Sequence, residues 1–287
     1  RTTYTNTYSG DGGLHQVYLG LGWSPFKGFA IGVNAAYLWG DYSRSVINSY
    51  TDAYANTLSK YYTAEVHNYK LDFGMQYTQK ITKNDAITLG VTYGLGHKLS
   101  SDPKCQIIST NAQTAVADTA TYSIGNGLEL PHSYGVGLMW NHANRWRVGA
   151  DYTLQKWSSV AYPKFDTSTN SYELVSGQFA DRHKMTVGGE FCPDERSRSF
   201  FKRVHYRMGA SYATDYLKIK GQNGPKEYSV SAGFGIPIVN GYNNRSQLNR
   251  SAQWVRQDSK TFVTENSFRI NIGLTFNERW FAKWKME

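Results

Sequence analysis

The stretch Glu265–Asn277 constrains this chain most. From Phe268 every second residue is large and apolar (Phe268, Ile270, Ile272, Leu274, Phe276), while Arg269, Asn271, Gly273 and Thr275 fall between. Side chains of a strand point alternately to its two faces, so one face here is greasy and the other wet. The pattern returns along the chain in segments of about ten residues with aromatic ends, the signature of an antiparallel transmembrane β-barrel. An all-β fold of that kind is the predicted class.

The first clear segment, 14 to 23, places His15, Val17, Leu19, Leu21 and Trp23 on one face. Phe29, Ile31, Val33, Ala35, Tyr37 and Trp39 follow a short turn at 24 to 28 and lead into a polar stretch, 41 to 60, read as a long loop. The unit of strand, short turn, strand and long loop then repeats. It does so through Tyr69–Tyr77 and Ile87–Leu95, Tyr134–Trp140 and Trp146–Leu154, and His183–Phe191 and Val204–Tyr212. Tyr228–Ile236, a weak segment at 246 to 256 and the final strand complete it. Further loops are predicted up to Leu130, over 158 to 180 and over 221 to 225, and residues 1 to 12 are polar and unassigned. In outer-membrane barrels short turns face the periplasm and long loops face outside. That count is eleven strands, and such barrels have even numbers. An odd number is therefore expected ahead of Tyr18, three of them giving fourteen.

Arg1 carries neither an initiator Met nor a signal region, so the sequence reads as processed, trimmed or partial. The whole of 1 to 287 reads as a single barrel domain, with 278 to 287 a periplasmic tail. No run of about 18 apolar residues exists, which excludes a helical membrane protein. The negative mean hydropathy of -0.54 is compatible with a barrel, whose lumen face and loops are polar. A net charge of +9 raises nucleic acid as a partner, but no module presents that charge, and none is expected.

Three stretches, Ser197–Tyr212, Lys226–Ile238 and Asn271–Trp280, resemble the FadL-type outer-membrane transporter family, and the likeness extends roughly over 14 to 285. The resemblance implies a fourteen-stranded barrel in the bacterial outer membrane, with an N-terminal hatch in its lumen, passing long-chain fatty acids or other hydrophobic compounds. No hatch sequence is visible here, so no hatch-side ligand residues are carried over.

Lys70, Asp72, Arg147, Asp151, Lys184, Glu190 and Arg207 fall on the face opposite the apolar one, as candidate lumen charges. They either guide an amphipathic solute or brace the wall by pairing across strands. Many glycines share that face, among them Gly20, Gly22, Gly32, Gly74, Gly135 and Gly137. They suit either a wall approached by an internal plug or the curvature of the barrel. Arg196, Arg198, Lys202, Arg203, Arg245, Arg279, Lys283 and Lys285 form a predicted basic periplasmic rim for lipid phosphates or a partner subunit.

His67, His97 and His183 show no metal-ligand spacing, and no nucleophile and base arrangement stands out, so neither a cofactor nor an enzyme is expected. Candidate partners are outer-membrane lipids, a hydrophobic ligand and other outer-membrane or periplasmic subunits. Two functional readings follow: passage of hydrophobic or amphipathic molecules, or a non-transporting structural subunit of an outer-membrane assembly or secretion complex.

Overall fold

The computed structural model describes residues 3–52, 54–219, 221–240, 243–259 and 263–275, with the backbone alone for 239, 240 and 243–245. Eleven strands form one continuous antiparallel wall. In chain order these are β1 (Tyr4–Phe26), β2 (Phe29–Tyr50), β3 (Thr57–Lys80), β4 (Asp85–Gly94), β9 (Ser133–His142), β10 (Trp146–Gln155), β13 (Arg182–Phe191), β14 (His205–Ala213), β17 (Lys226–Asn240), β18 (Asn243–Asp258) and β19 (Glu265–Thr275). Each pairs with its sequence neighbour in the wall, so the path is a simple meander from β1 to β19. The intervening small elements lie in the connections. They are β5 (His97–Leu99), β6 (Lys104–Thr110), β7 (Ala117–Ser123), β8 (Leu128–Leu130), β11 (Tyr162–Asp166), β12 (Ser171–Val175), β15 (Lys218–Ile219), β16 (Gln222–Asn223) and one helical turn, α1 (Phe200–Arg203).

The register carries the alternation across strands. Leu21, Val33, Phe73, Tyr93 and Tyr134 are opposed in one row, and Gly22, Gly32, Gly74, Thr92 and Gly135 in the next. The apolar face has nothing packed on it: Leu19 and Ile272 are each 71 % exposed. A water-soluble protein does not leave so large an apolar surface bare, whereas a lipid-facing wall requires it. From Phe29 to Trp39 the apolar run of β2 spans ten residue steps. At about 3.3 Å per residue and a tilt near 40° that is roughly 25 Å, the height of an outer-membrane apolar band. The chain is a transmembrane antiparallel β-barrel.

Three strands reach well beyond that band. The segment 41–60 is not a loop: β2 runs to Tyr50 and β3 starts at Thr57, joined by a short turn, and β1 begins at Tyr4 within the unassigned N-terminal stretch. The polarity of the two faces inverts at the boundary. Below it Trp39, Tyr37 and Tyr69 lie on the greasy face and Lys70 on the wet one. Above it the former greasy face carries Asp41, Ser43, Glu65 and Thr63, while Ala64 and Val66 on the other face are buried. Outside a membrane the outward face meets water and the inward one is free to form a core.

That core is built by the connections. Val66, 1 % exposed, packs with Ala64, Leu99 and Leu128, and Tyr42, Leu130 and Tyr162 close around them. The connection from 95 to 132 contains the β5–β8 pair and the β6–β7 hairpin, whose β6 continues the sheet beyond β3, and the connection from 156 to 181 contains the β11–β12 hairpin. The predicted loops are thus ordered β-structure laid over the inner face at one end of the barrel. The opposite end has the tight turns, including Lys27–Gly28 with Gly28 at φ +85° and Ala143–Asn144 with both residues left-handed.

Candidate functional site

The wall's wet face converges at the turn end on Glu190. Residues Arg147, Glu190 and Arg207 are directly opposed on β10, β13 and β14. Arg147 Nη1 donates to Glu190 Oε1 at 2.9 Å and Arg207 Nε to Oε2 at 2.6 Å. Arg207 extends the tie through Nη1 to Asn249 Oδ1 (2.6 Å) and Nη2 to Gln247 Oε1 (3.0 Å) on β18. His205 Nδ1 lies 3.1 Å from Glu190 Oε1, an ion-pair contact when the ring is protonated. One carboxylate thereby gathers side chains from β10, β13, β14 and, through Arg207, β18. Gly235 leaves space for this contact, since a side chain there would crowd the Gln247 amide and the Arg207 guanidinium.

The other wet-face charges divide. Lys70 Nζ bonds Asp72 Oδ2 at 2.6 Å along the same strand. Asp151 and Lys184 share the face, on β10 and β13, and join no ion pair among the described residues. Asp151 instead lies against Gly137, whose missing side chain makes room for its carboxylate. The geometry thus brings Arg147, Glu190 and Arg207 together and keeps Lys70 with Asp72 as a separate pair.

The turn end carries the basic residues. Arg196, Arg198 and Lys202 are exposed in the connection between β13 and β14, and Arg203 is half-buried there. Lys83 and Arg145 lie in neighbouring turns. Asp85 anchors the adjacent rim: Thr82 Oγ1 donates to Oδ2 at 2.6 Å, His142 Nδ1 lies 2.8 Å from Oδ1, and Trp140 Nε1 donates to Oδ1 at 3.1 Å. The Thr82 hydroxyl first, then His142 and Trp140, hold its carboxyl below the usual range. Arg279, Lys283, Lys285, Phe276 and the tail 278–287 lie outside the described residues, as does the side chain of Arg245. Phe268, Ile270, Ile272 and Leu274 line the apolar face of β19.

At the loop end a second set of contacts was not legible beforehand. Tyr93 Oη lies 2.9 Å from His132 Nδ1 and Tyr152 Oη 2.7 Å from His183 Nδ1, both at the upper aromatic edge of the apolar band. Lys156 Nζ bonds Asp181 Oδ2 at 2.6 Å and Ser158 N donates to Oδ1 at 3.0 Å, tying together the two ends of the connection from 156 to 181. Burial disfavours the charged Asp181, yet Lys156 and Ser158 outweigh it and hold the carboxyl down at about 2.

Cys105 is fully buried on β6 opposite Tyr62 at the loop end. Cys192 follows β13 at the turn end, and both thiols are free. The two thiols thus lie at opposite ends of the barrel, and burial shuts Cys105 off from a water-soluble reagent.

Solved structures with the same architecture are outer-membrane channels and transporters. A TodX deletion mutant described as a monoaromatic hydrocarbon channel aligns with TM-score 0.60 at 14 % identity, covering 90 % of this chain and 68 % of that one. The toluene transporter TbuX of Ralstonia pickettii aligns with TM-score 0.59 at 12 % identity, over 92 % and 67 %. A Pseudomonas aeruginosa FadL homologue gives TM-score 0.53 at 14 % identity, over 86 % of this chain and 60 % of that one. No curated protein sequence matches. The sequence family described as BamG matches residues 1–287.

Proposed function

The chain belongs to the BamG family, and from that premise we propose that it is a bacterial outer-membrane barrel serving as a structural subunit beside other outer-membrane or periplasmic proteins. The observation that carries this reading is the Val66 core. The chain's own connections fill the inner face at the loop end with packed apolar side chains. At the turn end Glu190 is shared by Arg147 and Arg207, and Arg207 reaches on to Asn249, so the inner side chains are tied together across four strands. Both features make a braced, rigid body. The family's name hints at an assembly complex, and the exposed Arg196, Arg198 and Lys202 offer a basic rim to an acidic partner or to lipid phosphates.

A second reading is favoured by the fold. Two barrels of similar shape are described as a toluene transporter and a monoaromatic hydrocarbon channel, and on this reading the chain passes a hydrophobic or amphipathic molecule. Extraction in mild detergent followed by native mass measurement separates the two. Recovery in an assembly with other subunits at fixed stoichiometry supports the first reading. A lone barrel retaining a hydrophobic ligand contradicts it and supports the second.

A further inference from the structure

At the end of β13 the chain passes through Cys192-Pro193-Asp194-Glu195 before returning as β14 at His205. Cys192 N donates to Arg145 O of the neighbouring turn at 2.9 Å, and Asp194 N to Lys202 O at 2.9 Å, so both limbs of this connection are held by backbone bonds. Within it the Cys192 thiol, a Glu195 carboxylate oxygen and a His205 ring nitrogen lie within 4.8 Å of one another. Cys192 is 1 % exposed, His205 is largely covered, and Glu195 faces solvent.

We propose that Cys192, Glu195 and His205 form a binding site for one zinc-type divalent cation at the turn end of the barrel interior. Zinc takes thiolate, imidazole and carboxylate ligands in tetrahedral array, which needs donors roughly 3.5 Å apart. The exposed Glu195 carboxylate, 3.9 Å from His205 Nε2, is free to swing in and close the remaining distance. A thiolate and a carboxylate supply two negative charges to a doubly positive ion, and the imidazole enters neutral. Glu190 Oε1 stands 3.1 Å from Nδ1 on the far side of the ring, outside hydrogen-bonding geometry, and Nε2 is the nitrogen turned to Glu195. The guanidinium groups of Arg147 and Arg207 both bond that same Glu190, whose single negative charge offsets one of their two positive charges. Three protein ligands leave a fourth position for water or for a group from a partner, and the solvent-facing Glu195 marks the way in. A bound ion would pin the β13–β14 connection, which carries Arg196, Arg198, Lys202 and Arg203.

The test is titration of the full purified chain in detergent with Zn2+ and then Co2+. One equivalent is expected, and Co2+ should show thiolate-to-metal charge-transfer absorption. Cys192→Ser should abolish that absorption and Cys105→Ser should leave it. Glu195→Gln, at an exposed turn residue that the barrel does not need for folding, should weaken binding by at least the roughly tenfold typical of losing even a supporting group. If Cys192→Ser fails to fold, the Glu195→Gln titration decides alone. Absence of the charge-transfer band, or stoichiometry and affinity unchanged in Glu195→Gln, would mean an adventitious ion only and overturns the site.

Discussion

Arg207 and Glu190 face each other on β14 and β13 and are joined by an Nε to Oε2 bond of 2.6 Å, with Arg147 on the other carboxylate oxygen. Removing the shared acceptor leaves two guanidinium groups without it, whereas removing one donor leaves the other pair intact. Glu190→Gln is therefore expected to cost more than Arg147→Ala. The cost should be about 1 to 3 kcal/mol, below the value for a fully dry pair because the face is wet. The midpoint of urea unfolding in lipid vesicles measures both. Equal losses would mean that the carboxylate is not the hub.

Gly40 sits where the faces of β2 exchange polarity, at φ +146°, and a side chain there would run into the Gly13 carbonyl of β1. Gly40→Ala should destabilise the barrel by about 1 to 3 kcal/mol through strain and contact. Gly90→Ala, which meets nothing, should change stability by less than about 1 kcal/mol. Comparing the two unfolding midpoints checks the pair.

The Lys156–Asp181 tie makes a pH prediction. The Asp181 carboxyl is depressed from 3.8 to about 2, so its contribution is fully present above pH 4 and is lost as pH falls through 2. The melting-temperature gap between wild type and Asp181→Asn should be constant from neutrality to pH 4 and should close below it. A gap that persists at pH 1.5 would show that the tie does not depend on the ionised carboxylate.

Ala150, on the apolar face midway along β10, opposes Leu138 and Val187. Ala150→Arg should cost about 2 to 4 kcal/mol, since a charge there meets hydrocarbon. Thr186→Arg, on the wet face of the adjoining strand, should fold nearly as well. Refolding yield into vesicles compares them.

The spanning strands were legible because lipid on one side and polar surroundings on the other force strict alternation, and even the weak segment 246 to 256 proved to be the core of β18. The extension of β2 and β3 was not. Above the membrane Asp41, Ser43 and Ser45 turn outward and Tyr42, Ala64 and Val66 turn inward, so the greasy face changes side and the run reads as a polar loop. Parity alone assigns the candidate lumen charges to one face of their strands. Only register could bring Arg147, Glu190 and Arg207 abreast. The Cys192, Glu195 and His205 cluster has no compact spacing in sequence, since its ligands are joined by the return of the chain from β13 to β14.

The most direct test of the central claim, that this sheet is a membrane wall with its alternating faces in lipid and in water, uses neighbouring residues of one strand. Spin labels are placed singly at Val187 and Thr186 of β13 in a Cys105→Ser, Cys192→Ser background and reconstituted into vesicles. The label at Val187, on the apolar face, should relax with dissolved oxygen and be shielded from a water-soluble paramagnetic reagent. The label at Thr186 should do the reverse. Equal exposure of both labels to the aqueous reagent, or the opposite assignment, would contradict the account.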